Sequence, residues 1–161
     1  MLLGVISDTH ENMIKITQAV KIFNEYKVEA VFHCGDWISP ITADYFKGLE
    51  SRLYGVFGNN DGDKDYLLKR FSGIAEIYST PHKFEFSNLN ILVMHQPDFL
   101  EEFIDSGRFD IILYGHTHDI EVRKSGKTLI CNPGEAGGWL RKKCTIGIID
   151  TLKMEVEIID I

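Results

Sequence analysis

Short apolar runs alternate with helical patterns in the first half of the chain. Three runs are typical of buried strands because they are short and uncharged; they cover residues 2–7, 30–32 and 53–57. Capping residues and apolar positions three to four apart predict three helices: after Asn12, from Ser39 through Leu49, and over residues 65–71. This order of elements is typical of strands joined by crossover helices.

Strand patterns dominate the second half. Apolar segments on either side of Ser87-Asn88 predict a hairpin, and a helix is predicted over residues 98–105. The predicted strands of this half cover residues 83–86, 89–94, 111–114, 120–123, 128–131, 145–149 and 155–159. We find no repeat or linker, so the pattern predicts one domain over residues 1–161, built as a β-sandwich flanked by helices.

Composition and charge exclude several classes of protein. The 161 residues carry 17 Lys and Arg against 24 Asp and Glu, for a net charge of -7, which disfavours nonspecific nucleic-acid binding because that binding depends on clustered cations. No apolar run approaches the roughly 20 residues of a membrane span, and the amino terminus lacks the basic start of a signal peptide. Cys34, Cys131 and Cys144 are odd in number and far apart, unlike a disulfide framework. We therefore expect a cytoplasmic protein without membrane association, whose self-association stays open.

Polar residues that can bind metals follow the carboxyl ends of five predicted strands, where ligands bind in open α/β sheets. They are Asp8, His10, Asp36, Asn59, His95, His116 and His118. One such residue occurs often by chance, but their repetition at five strand ends indicates a metal centre. Oxygen and imidazole donors together suit Mn²⁺, Fe, Zn²⁺ or Ni²⁺ better than Ca²⁺. The number of donors exceeds the need of one tetrahedral metal and is enough for two metals that share a carboxylate.

The spacing of these residues supports convergence. In an extended segment, residues two apart point the same way, so Asp8 can act with His10 and His116 with His118. Glycines at positions 35, 58 and 115 allow tight turns beside them. The chain contains no phosphate-binding loop, dinucleotide fingerprint or nucleophile elbow, which counts against a kinase, a dinucleotide oxidoreductase or a serine hydrolase.

The motifs resemble a known signature. Asp8-x-His10, Gly35-Asp36, Gly58-Asn59-x-Asp61, His95 and Gly115-His116-x-His118 resemble, in this order, the motifs of the calcineurin-like metallophosphoesterases. The start at Ser7, the small size and Asn132-Pro133-Gly134 are similar to the compact phosphodiesterase branch, which is related to the retromer subunit. The resemblance covers residues 7–134 and implies an α/β fold in which two mixed sheets form a β-sandwich flanked by helices, in four αββα layers.

The resemblance also implies a dinuclear metal centre bridged by Asp36. Asp8, His10 and His118 would complete one metal site, and Asn59, His95 and His116 the other. A hydroxide between the metals would attack a small phosphodiester in line with its leaving group. Mn²⁺ is the expected metal, with Ni²⁺, Zn²⁺, Fe²⁺ and Mg²⁺ as alternatives. Neither the native metal nor the physiological substrate follows from the sequence.

Departures from the family pattern refine the expected reaction. Asn60 stands where active relatives commonly carry a His for leaving-group protonation, so aryl diesters should react better than alkyl monoesters. Asn59, Asn60 and Asp61 are the candidate catalytic residues, and Asn60 and His95 the candidate substrate contacts. Asp61 would either orient a ligand or cap a helix.

Acidic residues at two further positions also depart from the pattern. Glu11 and Glu135 stand where relatives often have Gly and Ser, and they either bring carboxylates near the pocket or face solvent. Carboxylates near the pocket would disfavour dianionic monoesters relative to diesters.

Two alternative functions remain: a phosphomonoesterase of the same fold and a non-catalytic interaction scaffold like the retromer-subunit relatives. A scaffold has no need to retain every ligand position, and convergent polar groups without a metal cost stability. The basic run Arg141-Lys142-Lys143 after Trp139 is interpreted as a solvated hairpin tip in preference to a flap that presents an aromatic ring to the substrate.

Overall fold

The computed structural model describes residues 1–161 and contains eleven strands and four α-helices. The strands are β1 (Leu2–Ile6), β2 (Ala30–His33), β3 (Arg52–Val56), β4 (Ala75–Tyr78), β5 (His82–Phe86), β6 (Leu89–Val93), β7 (Ile111–Leu113), β8 (Ile120–Ser125), β9 (Thr128–Pro133), β10 (Thr145–Asp150) and β11 (Glu155–Asp160). The helices are α1 (Met13–Tyr26), α2 (Ala43–Phe46), α3 (Lys64–Phe71) and α4 (Leu100–Asp105), with a 3₁₀ turn over Pro40–Thr42.

The strands form two mixed sheets. The first has the order β11-β10-β1-β2-β3-β4, in which β1 to β4 are parallel and β10 and β11 run antiparallel to their neighbours. The second has the order β5-β6-β7-β9-β8, in which β6, β7 and β9 are parallel and the edge strands β5 and β8 antiparallel. The predicted fold class, two mixed sheets flanked by helices, is confirmed.

Three buried clusters separate the four αββα layers. The first lies between the helices α1 to α3 and the first sheet, the second between the two sheets, and the third between the second sheet and α4. Neighbouring residues of one strand point to different clusters: in β6, Ile91 and Val93 face the other sheet while Leu92 faces α4. Covering both faces of a sheet explains why its central strands appear in the sequence as uninterrupted apolar runs.

Two predictions about elements need correction, and one strand has no counterpart in the sequence analysis. The strand β4 was not predicted; of its four residues only Ile77 is buried, since β4 is an edge strand of the first sheet. The helix predicted from Ser39 through Leu49 is a 3₁₀ turn followed by α2, which ends at Phe46 shortly before Gly48. The segment after β9 is not a hairpin tip, because β9 and β10 belong to different sheets and this segment crosses between them.

The longest helix, α1, has 14 residues. None of the helices has the length and the apolar character that a membrane crossing requires.

Candidate active site

The carboxyl ends of strands from both sheets meet at one edge of the sandwich and carry all seven candidate ligands. In the first sheet, Asp8 follows β1, Asp36 follows β2 and Asn59 follows β3. In the second, His95 follows β6 and His116 follows β7. The His116 amide donates a hydrogen bond to Asp8 Oδ2 at 3.1 Å, which joins the two sheets at the site.

Most of these ligands adopt an uncommon backbone conformation. Five of the seven have positive φ angles of 41° to 65°: Asp8, His10, Asp36, His116 and His118. Non-glycine residues rarely adopt this conformation, and it concentrates at functional sites because it costs free energy that the surrounding structure must offset. The extended geometry predicted for the Asp8–His10 and His116–His118 pairs is therefore wrong. Asp8 and His10 still converge on one cluster, whereas His118 joins that cluster and His116 lies beside Asn59.

One cluster consists of Asp8, His10 and His118, whose ligand atoms all lie within 4.8 Å of one another. Asp8 Oδ1 lies 3.3 Å from His118 Nε2 and 3.7 Å from His10 Nε2. Asp8 Oδ1 and His10 Nε2 are buried and have no hydrogen-bond partner. Buried polar atoms without partners are rare in proteins, so this donor set fits a divalent cation.

The second cluster surrounds Asn59 and His95. Asn59 Oδ1 lies 2.8 Å from His95 Nε2 and 3.0 Å from His116 Nδ1. His95 Nδ1 lies 2.8 Å from the Cys34 carbonyl oxygen, which can only accept, so this nitrogen carries the proton. The Nε2 lone pair of His95 is therefore directed to the cluster, as ligation of a metal requires.

Asp36 lies between the two clusters. Its Oδ2 is 3.6 Å from His10 Nε2, and its Oδ1 is 3.5 Å from His95 Nε2. Asn60 donates to both carboxylate oxygens, from its amide nitrogen to Oδ1 at 2.9 Å and from Nδ2 to Oδ2 at 2.6 Å. Each oxygen of Asp36 thus faces a different cluster, and Asn60 fixes the plane of the carboxylate.

Charge coupling in the first cluster shifts three pKa values. Burial alone would raise the pKa of Asp8, but the nearby imidazoles of His10 and His118 and the hydrogen bond from Ser7 outweigh burial and hold it well below its ordinary value. The close Asp8 carboxylate raises the pKa of His10 and that of His118 above the ordinary value of a histidine. The cluster therefore stabilises positive charge close to Asp8, which a cation could supply.

Two glycines leave room for the carboxylates. A Cβ atom on Gly58 would overlap Asp36 Oδ1, and one on Gly115 would overlap the Ser7 hydroxyl. The Ser7 hydroxyl donates to Asp8 Oδ2 at 2.6 Å. Glycine at positions 58 and 115 thus permits the close packing of loops from both sheets around the site.

Asp61 positions the loops of the first sheet. Its carboxylate accepts hydrogen bonds from the Ile38 amide and from the Gly58 amide, both at 2.7 Å. The interpretation of Asp61 as a helix cap is wrong, because Asp63 is the N-cap of α3. Burial raises the pKa of Asp61, and the hydrogen bonds from the two backbone amides oppose this effect. Asp61 therefore connects the segment after Asp36 to the segment that carries Asn59.

Glu135 is buried and anchors a loop, while Glu11 is exposed. The Glu135 carboxylate accepts hydrogen bonds from the amides of Trp139 at 2.6 Å and Arg141 at 2.7 Å, and from that of Leu140 at 3.1 Å. Its Oε2 lies 3.3 Å from His118 Nδ1. Burial opposes but does not prevent a lowered pKa of Glu135, because these backbone donors stabilise its charge. Glu135 thus joins the loop over residues 139–141 to a candidate ligand.

Sequence reasoning missed the contribution of His33 and Thr9 to the site. His33 is buried, and its ring stacks on Trp37 with 3.6 Å between centroids. His33 Nδ1 accepts from the Gly35 amide at 3.1 Å, so its Nε2 donates to the Thr9 hydroxyl, 3.2 Å away. The Thr9 hydroxyl in turn donates to the Asp36 carbonyl oxygen at 3.3 Å. The sequence offers only the closeness of His33 to Asp36 as a signal for this chain of hydrogen bonds.

Known proteins share both the sequence and the fold. Residues 1–154 match the model of the calcineurin-like phosphoesterase superfamily domain. The chain is 37% identical over 159 residues to phosphodiesterase MJ0936 of Methanocaldococcus jannaschii, covering 96% of each protein. A solved structure described as a novel archaeal phosphodiesterase superposes with a TM-score of 0.94 at 36% identity, with all of both chains covered.

More distant structures share the fold. Wild-type Vps29 of Entamoeba histolytica complexed with Zn²⁺ superposes with a TM-score of 0.68 at 20% identity, covering 100% of this chain and 98% of Vps29. The family match over most of the chain, the 37% identity to a named phosphodiesterase and the metal-ligand clusters show that the protein belongs to the calcineurin-like phosphoesterase superfamily and is a metal-dependent phosphoester hydrolase.

Proposed function

We propose that the protein is a phosphodiesterase whose centre holds two divalent metal ions bridged by Asp36. The observation that carries this proposal is the placement of the two Asp36 oxygens, which face His10 and His95 on opposite sides. When bound, the ions would activate water for in-line attack and offset the charge of the phosphate. The 37% identity to a protein named phosphodiesterase supports the choice of substrate class.

The remaining ligands divide between the two metal positions. We assign Asp8, His10 and His118 to one metal, since their ligand atoms lie together. Asn59, His95 and His116 would bind the other, since Asn59 Oδ1 lies within 3.0 Å of both imidazoles. The oxygen and imidazole donors favour Mn²⁺ among the candidates, with Ni²⁺, Zn²⁺, Fe²⁺ and Mg²⁺ as alternatives.

Asn60 favours diesters with good leaving groups. Its side-chain amide does not ionise near neutral pH and so cannot act as a general acid, and its Nδ2 already donates a hydrogen bond to Asp36. Leaving-group protonation would then come from water, which is adequate for a phenolate but poor for an alkoxide. His95 would act through its metal and through contact with the phosphate, and Asn59 as a metal ligand. We propose small diesters as substrates because the net charge of -7 disfavours long polyanions.

Two broader expectations accompany this function. Both sheets contribute ligands, which supports the proposal that residues 1–161 act as one domain. Cys34 and Cys131 are buried as free thiols, and burial raises the pKa of Cys131 to about 12. Such unreactive thiols are consistent with a reducing compartment, which we propose is the cytoplasm.

Metal reconstitution tests the proposed function. Metal-stripped protein should hydrolyse bis(p-nitrophenyl) phosphate after addition of Mn²⁺, Ni²⁺, Zn²⁺ or Mg²⁺ singly, with the highest rate for Mn²⁺. The kcat/KM for this aryl diester should exceed that for an alkyl monoester such as glycerol 2-phosphate. Absence of hydrolysis with every ion would refute the proposed function, and a higher kcat/KM on the monoester would favour a phosphomonoesterase.

Replacing the proposed bridging carboxylate tests the dinuclear centre. Asp36→Asn should reduce kcat by more than about a hundredfold, because loss of a mere supporting residue already costs ten- to a hundredfold. Bound Mn²⁺, measured after dialysis, should fall from two ions per chain to one or none. Asp105→Asn, at an exposed position of α4, is the control and should match the original protein. Near-normal turnover of Asp36→Asn with two bound ions would rule out the bridge.

A further inference from the structure

A cavity of about 710 Å³ opens beside the proposed metal centre. His10 and Asn60 form its side nearest the metal ligands, and Glu11 contributes an exposed carboxylate. The rest of its wall is apolar and consists of Met13, Ile38, Trp139 and Leu140. The volume lies within the range of small-molecule sites, roughly 300–1,000 Å³. The lining contains no Lys or Arg, and its one histidine, His10, is a proposed metal ligand, so the rest of the cavity suits an uncharged group better than a second phosphate.

Trp139 is exposed and yet held in place. Its side chain is 66% exposed, while its indole Nε1 donates to the His10 carbonyl oxygen at 2.9 Å. Its amide donates to the buried Glu135 carboxylate at 2.6 Å. An aromatic residue whose indole and backbone amide are both hydrogen-bonded loses little conformational entropy when a ligand packs on its ring. The hydrogen bond to His10 also fixes the distance of the ring from the first cluster of ligands.

Ile38 forms another wall of the cavity in a strained conformation. Its φ angle is 68°, which is rare for a β-branched residue. The hydrogen bond from its amide to Asp61 Oδ1, at 2.7 Å, holds the backbone there. Single exposed apolar residues are normally scattered over a protein surface. Here a strained isoleucine and an exposed tryptophan lie together beside a polar centre, which indicates a cavity that contacts a ligand.

We propose that this cavity binds a planar aromatic group carried by one ester arm of the phosphodiester, with the ring packed on Trp139. This inference rests on the proposed phosphodiesterase function and identifies the class of its substrate: a diester with one aryl or nucleoside arm. Stacking on an aromatic side chain tolerates any planar ring, so the phenyl group of an aryl ester and the base of a nucleotide share the relevant chemistry. The Glu11 carboxylate disfavours an arm that carries additional negative charge.

Competitive inhibition by three diesters tests the aromatic subsite. Dimethyl phosphate, methyl phenyl phosphate and thymidine 5′-methyl phosphate share the phosphodiester and differ in the arm. At least one ring-bearing diester should inhibit hydrolysis of bis(p-nitrophenyl) phosphate with a Ki at least about fivefold below that of dimethyl phosphate, as expected for one stacked ring. If both ring-bearing diesters have the lower Ki, the subsite accepts any planar ring. If only one does, the subsite selects either the phenyl ester or the nucleoside. Equal Ki values for all three would overturn the subsite.

Substitutions at Trp139 locate the subsite. The ratio of the Ki of dimethyl phosphate to that of the ring-bearing diester measures the contribution of the ring. Trp139→Leu retains apolar bulk without a ring and should bring this Ki ratio close to one, whereas Trp139→Phe should keep most of the original ratio. Leu152→Ala, at an 86% exposed apolar position between β10 and β11, is the control and should keep the original ratio. A ratio that persists in Trp139→Leu would overturn the placement of the ring.

Binding observed by NMR, a readout other than the rate of hydrolysis, separates this inference from the proposed function. The protein has two indole N–H groups, and Trp37, fully buried and bonded to the Val56 carbonyl oxygen, serves as the internal reference. In the Zn²⁺-loaded protein, methyl phenyl phosphate or thymidine 5′-methyl phosphate should shift the NMR resonance of the Trp139 indole and leave that of Trp37 in place. Failure of hydrolysis with every metal would refute the proposed function, while a silent Trp139 resonance in an active enzyme would refute the subsite alone.

Discussion

Single residues at this site combine an unfavourable backbone with favourable hydrogen bonds. Asp8 and His10 have positive φ angles, each costing on the order of 1–3 kcal/mol. Their amides donate to the carbonyl oxygens of Gly35 at 3.1 Å and Asp36 at 3.2 Å. The loop after β1 is therefore held in its strained form by the loop after β2, which keeps the donor atoms in place before any metal binds.

His33 should make the stability of the metal-free protein depend on pH. Burial lowers the pKa of His33 to about 3, from an ordinary value of 6.5. Below about pH 6.5 the unfolded chain therefore binds a proton that the folded chain does not accept. The free energy of unfolding decreases as the pH is lowered from about 6.5 to about 3. The slope from this group approaches about 1.4 kcal/mol per pH unit.

Urea unfolding between pH 7 and pH 4 measures this dependence. His33→Gln keeps a side chain that can donate to Thr9 but cannot titrate, so its free energy of unfolding should fall less steeply than that of the original protein. The raised pKa values of His10 and His118 change the free energy of unfolding in the opposite direction, since they stabilise the folded state at low pH. Both proteins share that contribution, and the difference isolates His33. Parallel curves would contradict the prediction.

At the residue scale, the sequence revealed candidate ligands better than the residues that hold them. Side-chain type and position after a strand pointed to His95 and His118, because few other residues offer metal-binding nitrogen. Asp61 and Glu135 act mainly on backbone amides, and an amide has no signature in the sequence. The partners of Asp61 include Ile38, 23 residues away in the chain, and only the folded structure brings them together.

At the element scale, the loop over residues 139–141 depends on Glu135. Glu135→Gln conserves size but replaces one accepting oxygen by an amide group that donates. The loop amides then lack part of their acceptor, and we expect a loss of about 1–3 kcal/mol in the free energy of unfolding. Trypsin should cleave after Arg141 or Lys142 faster than in the original protein, because the loosened loop fits the protease more readily.

The matched control for this change is Glu102→Gln, at an exposed position of α4. Its unfolding free energy and its cleavage rate should remain those of the original protein. Unchanged trypsin cleavage in Glu135→Gln would show that the carboxylate does not anchor the loop.

Helices and central strands were predictable because burial imposes a clear pattern on them. In α1, the buried residues Ile16, Val20 and Phe23 follow the predicted helical spacing, and Asn12 caps the helix by accepting from the Lys15 amide. The edge strand β4 has no such pattern, because three of its four residues are partly or fully exposed. The connection after β9 looked like a hairpin because local residue types do not reveal that the next strand joins the other sheet.

For the whole molecule, metal binding should raise thermal stability. The proposed ligands already converge in the native chain and are dispersed in the unfolded chain, so a bound ion stabilises only the folded state. At a free metal concentration of 100 times Kd, one site contributes about 2.7 kcal/mol, which corresponds to a rise in Tm of roughly 5–10 °C for a chain of this size.

Calorimetry of metal-stripped protein with and without Mn²⁺ measures the effect. Ca²⁺ at the same concentration controls for ionic strength, since the imidazole-rich donor set disfavours it. Asp36→Asn should show a smaller rise in Tm. An equal Tm with and without Mn²⁺, or an equal rise with Ca²⁺, would argue against the assigned ligands.

The net charge of the whole molecule restricts the classes of substrate and partner that it can bind, but it does not identify the reaction. Two divalent ions would change the net charge of -7 to about -3 and concentrate positive charge at one edge of the sandwich. The surface stays acidic, which agrees with a small substrate.

The division of the ligands between the two sheets fixes when the site can form during synthesis. The first four proposed ligands lie between positions 8 and 59, and the last three between positions 95 and 118. Each proposed metal position draws ligands from both groups. A ribosome-bound chain that has not yet exposed His116 and His118 therefore holds neither position complete. With this ligand assignment, metal would bind after the second sheet has docked on the first, and metal-free protein that folds in a cell short of metal would gain activity when the metal returns.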